Sequence, residues 1–234
     1  MASWLKKFSR HGDKQLSEQM QRHASLKKRF NKKTFIQDAD YVAFDTELTG
    51  LNPSQDSILS IGAIKLHGGR ILPAHSFYKL VKPEAEINYE SVVIHEITPS
   101  ELEEADALAD VLEQFIDFIG DAILIGHYVH IDATFVSRGL KKHFGISLKS
   151  PTLDTGALHD WLHDNDSNFA RHYGGMTTKT DLFALAKKYG IPAEKSHNSF
   201  NDAFLTAQLF QRFLCFLPEC GIQTVKEILT IGKL

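Results

Sequence analysis

The fold is set by the stretch YVAFDTEL at residues 41–48. Its first four residues form a short apolar run of strand length. In a strand, residues i and i+2 point to the same face, so the carboxylates of Asp45 and Glu47 project together at the end of that strand. Two adjacent carboxylates repel each other unless a cation lies between them. Two acidic residues at a strand end are more often solvated charges than metal ligands. Other segments of the sequence are needed to distinguish these two interpretations.

Further apolar segments extend this strand into a sheet. Residues 57–66 form a second strand candidate, and Gly68-Gly69 separates it from a third at 71–81, which is the spacing of a two-residue hairpin. A buried strand is predicted at 122–125. Helices are predicted over 98–119, 132–143, 180–190 and 199–217, the first capped by Thr98 and the third by Thr180. A hairpin followed by alternating strands and helices indicates an α/β fold, with a mixed sheet covered by helices.

Charge is distributed unevenly along the 234 residues, of which 43% are hydrophobic and 24% charged. Residues 1–33 contain ten Lys/Arg and two acidic residues, a net charge of +8, whereas the remainder contains 16 basic and 27 acidic residues, a net charge of −11. We therefore divide the chain into a basic helical arm, residues 1–36, and a globular domain, residues 37–234. A basic arm on an acidic body favours contact with a polyanion, or with a polymerase or repair protein, unless the arm is only a solvated helix.

The sequence disfavours several other classes of protein. Its first residues lack the apolar core of a signal peptide, and Gln208, Gln211 and Arg212 interrupt its most apolar stretch, so no membrane span is expected. Cys215 and Cys220 have no metal-ligand spacing and are expected to be reduced, packed thiols. The sequence has no phosphate-binding glycine loop and no serine-hydrolase motif. These features predict a cytoplasmic protein.

Two further segments carry carboxylates near predicted helix starts. Asp132 ends the segment GHYVHID at 126–132, at the beginning of a helix where the dipole favours an acid without any catalytic role. His197 and Asp202 are the ends of the segment HNSFND. Five residues along one helix rotate a side chain by about 140°, so the two cannot share a helix face. The pattern favours Asp202 on the helix and His197 on the turn before it.

Together, the three segments resemble the three motifs of the DEDDh 3′–5′ exonuclease family, which is related to the proofreading epsilon subunit of bacterial DNA polymerase III. The stretch FDTELTGL at 44–51 is similar to the first motif, GHYVHID to the second and HNSFND to the third. The match extends over roughly residues 38–217 in the family's order. The resemblance implies a ribonuclease-H-like fold, with a five-stranded mixed sheet flanked by helices.

The resemblance also implies the catalytic groups. It makes His197 the general base and assigns four carboxylates to two divalent cations, Mg²⁺ or Mn²⁺. The implied metal ligands are Asp45, Glu47, Asp132 and Asp202. Oxygen-only ligands suit these hard cations, and two such ions can activate water and stabilise the leaving 3′ oxygen. The expected reaction releases nucleoside 5′-monophosphates from a nucleic acid with a free 3′ end, with single-stranded DNA as the favoured substrate.

Other residues are implied to contact the terminal nucleotide or to support the site. The substrate contacts implied by resemblance are Thr46, Leu48, Thr49, Glu90, His95 and His127. Leu48 stands where the family commonly has threonine, and Tyr128 and Ile131 replace a frequent asparagine and phenylalanine, which leaves the base and sugar contacts open. Asp154 matches a recurrent family aspartate, and we expect it to have a structural role.

Two alternative functions stay open. One is an RNA exonuclease of the oligoribonuclease or ribonuclease T type, although the segment with Glu90 and His95 favours the proofreading branch. The other is a binding or scaffold module without turnover, which the presence of all four carboxylates disfavours. His159 and His163 have the spacing of a zinc-protease motif, but no third ligand is evident, and a partly exposed helix face is the preferred interpretation.

Overall fold

The computed structural model describes residues 16–29, 31–83, 97–173, 181–193 and 198–233. Three residues selected by sequence analysis, Glu90, His95 and His197, lie outside the described residues. Residues 1–15 and residue 30 of the basic arm lie outside them as well.

The strands form one mixed sheet. They are β1 (Asp40–Leu48), β2 (Ile58–His67), β3 (Arg70–Lys82), β4 (Asp106–Ala107), β5 (Ile123–Gly126) and β6 (Thr152–Asp154). Their order across the sheet is β4-β3-β2-β1-β5-β6. Strands β1, β2 and β3 are antiparallel neighbours, whereas β5 runs parallel to β1, β6 to β5, and β4 to β3. The carboxyl ends of β1, β5 and β6 therefore meet at one edge of the sheet.

Helices cover this sheet on both faces. The described residues form α1 (Glu18–Ala24), α2 (Leu26–Arg29), α3 (Pro99–Glu103), α4 (Leu108–Ile119), α5 (His130–Phe144), α6 (Thr155–Asn165), α7 (Ser167–Tyr173), α8 (Leu182–Lys188), α9 (Ser199–Phe216) and α10 (Val225–Ile231). Within the described part of the chain, none of these helices combines the length and apolar character that a membrane crossing needs.

Strand β1 is buried on both faces because its side chains alternate between two apolar layers. Tyr41 and Ala43 pack in one core cluster with residues of α9. Val42 and Phe44 pack in the other with residues of α4 and α5. The alternation continues toward the end of the strand, so the two carboxylates of β1 lie on the α9 side of the sheet.

The first described helix packs against the domain. Met20 of α1 is fully buried in the core cluster that contains α4. Arg22 forms an ion pair with Asp121 at 2.7 Å, and His23 Nε2 accepts a hydrogen bond from the Lys149 N–H at 2.8 Å. The division of the chain at residue 36 stays a prediction, and a truncation of the arm has to retain α1 if it is to preserve this packing.

The mixed α/β fold, the hairpin and the last long helix agree with the sequence predictions. Strands β2 and β3 join through Gly68-Gly69, and Gly68 has a φ of 53°, a left-handed conformation that glycine adopts without steric cost. Helix α9 begins at the predicted residue and ends one residue earlier than predicted.

The prediction of one helix over 98–119 is wrong. Helix α3 ends at Glu103, and the two residues of β4 pair with the end of β3 before α4 begins. Asp106 of β4 also forms an ion pair with Lys79 at 3.0 Å. Pairing with β3 satisfies backbone groups that a continuous helix would have satisfied internally. The sheet consequently has six strands rather than the five predicted.

Three smaller predictions also need correction. Helix α8 is capped by Asp181, whose Oδ1 accepts a hydrogen bond from Ala184 N–H at 2.9 Å. Thr180, the predicted cap, lies outside the described residues. His159 is buried rather than partly exposed, and its Nδ1 lies 2.7 Å from the Tyr189 hydroxyl. Both cysteines are free thiols, but Cys215 is exposed instead of packed.

Candidate active site

The two carboxylates of β1 lie where the central strands of the sheet end. Asp45 pairs with Gly62 of β2, and Glu47 pairs with Ser60. The register shifts between Glu47 and Leu48, and Leu48, the last residue of β1, pairs with Ile58. Strand geometry therefore brings the two carboxylates to one face, which is the arrangement that their i, i+2 spacing predicts.

Helix α9 supplies a third carboxylate. Asn198 caps this helix, because its Oδ1 accepts hydrogen bonds from the N–H groups of Phe200 and Asn201 at 3.1 and 3.2 Å. Asp202 follows in the first turn, and its N–H donates to the Asn198 carbonyl at 2.9 Å. His197 directly precedes this cap in the sequence and lies outside the described residues.

Carboxylate oxygens of Asp45, Glu47 and Asp202 lie within 4.8 Å of one another. Glu47 and Asp202 are buried, and Asp45 is partly exposed. Three oxygen ligands at this separation can surround one divalent cation, and their chemistry matches that of hard ions. Among the described residues, this cluster could therefore hold a metal ion.

Asp132 lies beside the cluster and is held by the first motif. Its Oδ1 accepts hydrogen bonds from the N–H of Thr46 at 3.0 Å and from the hydroxyl of Thr46 at 2.5 Å. Asp132 belongs to the first turn of α5 and is buried. The bond to Thr46 explains how a residue 86 positions away in the sequence is brought to the end of β1.

Burial and the charges of neighbouring carboxylates raise the pKa values of Asp45, Asp132 and Asp202. Burial raises the pKa of Asp45 well above its ordinary value, and the charges of Asp132, Asp202 and Glu47 raise it further. Burial raises the pKa of Asp132 to about 7, although the hydrogen bonds from Thr46 oppose the shift. Burial, followed by the charge of Glu47, raises the pKa of Asp202 to about 7. A bound cation would reverse these shifts by stabilising the ionised forms.

The loop of the second motif is fixed by Asp154. Its Oδ2 accepts a hydrogen bond from the Val129 N–H at 2.9 Å. Its Oδ1 accepts one from Ala157 N–H at 3.0 Å and thereby caps α6. One side chain consequently ties the loop before α5 to the start of α6, which agrees with the structural role expected of Asp154.

Two aromatic residues of this loop lie next to each other. His127 Nδ1 lies 2.8 Å from the Thr155 hydroxyl oxygen, and the ring centroids of His127 and Tyr128 are 4.5 Å apart. Tyr128 has a φ of 55°, and its side chain is 37% exposed. A left-handed conformation is unfavourable for a tyrosine, whereas an asparagine tolerates it.

The other predicted substrate residues that the structure describes lie around the end of β1. Thr46 and Leu48 are buried, and Leu48 belongs to the core cluster on the α4 and α5 side of the sheet. The Thr49 hydroxyl donates to Asp56 Oδ1 at 3.2 Å and accepts from Ser57 N–H at 3.0 Å. Their contacts with a nucleotide stay predictions.

Two polar residues that none of the sequence motifs contains contact the start of α9. Ser60 of β2 lies with its hydroxyl oxygen 2.8 Å from that of Ser199. Tyr78 of β3 lies close enough to the Asn198 side chain for that amide to lower the pKa of its phenol, against the larger effect of burial. Neither residue belongs to a motif, but the hairpin pairing would place Tyr78 opposite Gly62 and therefore in line with Asp45.

Nucleases of known structure share this fold. E. coli exonuclease I in complex with a dT13 oligonucleotide superposes with a TM-score of 0.66 over 78% of this chain and 42% of that chain, at 15% identity. Exonuclease X in complex with 5′-overhanging duplex DNA gives a TM-score of 0.60 over 82% of this chain and 99% of that chain, at 20% identity. The likeness shows the class of fold, which agrees with the predicted ribonuclease-H-like fold.

Sequence comparison identifies the family within this class. A family model described as exonuclease (RNase_T) matches residues 42–210. The PolC-type DNA polymerase III of Thermotoga maritima is 34% identical over 191 residues, and that of Clostridium perfringens is 31% identical over 192 residues, in both cases over 82% of this chain. The chain belongs to this exonuclease family. It spans 13% and 12% of the lengths of the two polymerases, so the likeness concerns one part of each.

Proposed function

We propose that the chain is a 3′–5′ exonuclease that hydrolyses the terminal phosphodiester of DNA and releases nucleoside 5′-monophosphates. The observation that carries the proposal is the convergence of Asp45, Glu47 and Asp202 within 4.8 Å at the edge of the sheet. The chain belongs to an exonuclease family. In phosphodiester hydrolysis at this cluster, phosphate oxygens would have to approach the carboxylates. Two sets of negative charge can approach each other only with cations between them.

The cations in this proposal are two divalent ions, Mg²⁺ or Mn²⁺. Their ligands would be the four carboxylates of the three motifs: Asp45, Glu47, Asp132 and Asp202. The fit is supported by the donor set, which is oxygen only, and by the raised pKa values of Asp132 and Asp202. When bound, such ions supply a more acidic water and a stabilised leaving 3′ oxygen.

Other residues of the chain would orient the ligands and move the proton. His197 is the proposed general base, because it matches the third motif and directly precedes the cap of α9. A neutral imidazole can accept a proton from water near pH 7 and release it afterwards. Thr46 would orient Asp132 through its two hydrogen bonds to one carboxylate oxygen. The proposed contacts of the terminal nucleotide are Thr46, Leu48, Thr49, Glu90, His95 and His127.

DNA is the first candidate substrate. The sequence relatives are named as DNA polymerases, and the two exonucleases with similar folds were solved with DNA bound. RNA is the second candidate, because the matching family model carries the name RNase_T. Initial rates on DNA and RNA strands of the same sequence and label would decide between them.

A polymerase or repair protein is the proposed partner, and the basic arm its proposed contact. The support is that the homologous region of the PolC-type relatives forms part of a polymerase chain. The basic residues of the arm could equally bind the phosphate backbone of the substrate, so the salt dependence of DNA binding separates the two roles.

Digestion of end-labelled strands tests the proposed activity. With Mg²⁺ or Mn²⁺, a 5′-labelled single strand should yield a ladder that shortens from the 3′ end, and a 3′-labelled strand should release its label as a mononucleotide. Asp45→Ala should abolish both products, whereas the exposed Asp117→Ala on α4 is a matched control that should retain them. Full activity of the Asp45→Ala protein would overturn the proposal.

A further inference from the structure

We infer that Ser60 and Tyr78 are positioning residues that fix the start of α9 on the sheet and thereby bring Asp202 to Asp45 and Glu47. The inference rests on the proposed function for its effect on hydrolysis, but its structural part concerns the cluster alone. Neither residue belongs to the three motifs.

The sheet register brings both residues into line with the carboxylates. Ser60 of β2 pairs with Glu47 of β1, and Tyr78 of β3 lies opposite Gly62, which itself pairs with Asp45. Paired residues of neighbouring strands project to the same face. Ser60 and Tyr78 therefore share the α9 side of the sheet with the carboxylates.

The first tether is buried. The hydroxyl oxygens of Ser60 and Ser199 lie 2.8 Å apart, and both residues are completely inaccessible to solvent. Removal of one hydroxyl would leave the other in an apolar environment without this partner, and buried polar groups are costly when unsatisfied. The bond therefore favours one position of Ser199, the first residue of α9, relative to β2.

The second tether holds the cap of the helix. Asn198 Oδ1 is engaged by two backbone N–H groups of α9, so the amide NH₂ is the group that can donate to the Tyr78 hydroxyl. This hydrogen bond lowers the pKa of Tyr78 against the larger effect of burial, which raises it. Tyr78 is 42% exposed. Because packing leaves much of its surface open, we assign its role to the interaction of its hydroxyl with Asn198.

Gly62 lets the helix end lie directly on the strand between these two tethers. A Cβ at this position would lie 2.3 Å from the Phe200 nitrogen and from the Ser199 carbonyl carbon. A close approach fixes the separation of helix and sheet, but it does not prevent sliding of the helix along the strand. The tethers on β2 and β3 supply that restraint, and Asp202 lies within one helical turn of them.

The test compares Ser60→Ala and Tyr78→Phe with two matched controls. Ser150→Ala removes another buried serine hydroxyl, and Tyr41→Phe removes a tyrosine hydroxyl that donates to the Ile36 carbonyl near the other end of β1. Mn²⁺ affinity is measured by calorimetry on the full-length protein without DNA, and kcat and KM are measured on a single-stranded DNA at saturating Mn²⁺. Thermal unfolding confirms that each protein is folded at the assay temperature.

We expect each tether variant to weaken Mn²⁺ binding and to lower kcat by roughly tenfold, as for other residues that orient metal ligands. KM should stay within about twofold, and both controls should match wild type in Mn²⁺ affinity and kcat, whatever their loss of stability. Equal Mn²⁺ affinity in the tether variants and the controls would overturn the inference. Absence of DNA hydrolysis by the wild-type protein would overturn the proposed function alone, since the Mn²⁺ affinities would still test the tethers.

Discussion

Replacing Asp132 by asparagine should stabilise the metal-free protein at pH 8 while abolishing hydrolysis. In the folded chain, Asp132 Oδ1 accepts hydrogen bonds from the N–H and the hydroxyl of Thr46. The amide oxygen of an asparagine can accept both. The substitution therefore removes a buried negative charge from a group of carboxylates and leaves the hydrogen-bond acceptor in place.

The expected magnitude follows from the pKa of the carboxyl group. Burial raises the pKa of Asp132 from 3.8 to about 7. A group whose pKa is raised by folding stabilises the fold below its unfolded pKa, and this contribution is lost as pH rises through the folded pKa. Between pH 5 and pH 8, the metal-free wild type should lose about 2–3 kcal/mol through Asp132. For a chain of this length the loss corresponds to about 5–10 °C in Tm.

Urea denaturation in EDTA at pH 5, 6.5 and 8 measures this dependence. Wild type should lose stability as pH rises, and Asp132→Asn should lose less, whereas the exposed control Asp117→Asn should follow wild type. Mg²⁺ should restore stability to wild type at pH 8 more than to Asp132→Asn, because the ion binds the ionised carboxylates. Parallel pH profiles for wild type and Asp132→Asn, or a less stable variant at pH 8, would refute the reasoning.

Three further predictions concern the fold and the arm. Tyr128→Asn should stabilise the protein by about 0.5–1 kcal/mol in urea denaturation, because asparagine tolerates the φ of 55°; a destabilised variant would show that the ring contact with His127 outweighs the strain. Gly62→Ala should lower the free energy of unfolding by more than about 2 kcal/mol, because the added Cβ would displace α9. At Gly69, where a Cβ meets nothing within 4 Å, alanine should change stability by less than about 0.5 kcal/mol. Similar losses of stability at both glycines would contradict the close approach of α9 to Gly62. Deletion of residues 1–15, which carry four Lys/Arg, should reduce the slope of log K against log salt by up to about 3 if the arm binds single-stranded DNA, and an unchanged slope would favour a protein partner.

Local chemistry was sufficient to predict the parts of the site that lie on single elements. Asp45 and Glu47 follow an apolar run, so their common face follows from the period of a strand. Asp202 lies in the first turn of a largely apolar helix, and Gly68-Gly69 defines a hairpin. In each case, the signal and the structure it determines lie within a few residues of each other.

Non-local pairing explains what could not be predicted. The segment around Glu103 and Asp106 has the composition of a helix, but pairing with the end of β3 interrupts it, and that pairing depends on the position of a distant strand. Ser60 and Tyr78 were missed for the same reason. Their importance comes from their interactions with Ser199 and Asn198, which lie 139 and 120 positions away along the chain.

A crystal soaked with Mn²⁺ and a nucleoside 5′-monophosphate would test the central claim most directly. Anomalous scattering should locate Mn²⁺ among the oxygens of Asp45, Glu47 and Asp202. A second ion should be bound by the same set of carboxylates, and the nucleotide phosphate should contact the metal. Anomalous peaks confined to other parts of the surface, with the phosphate bound away from the three carboxylates, would contradict it.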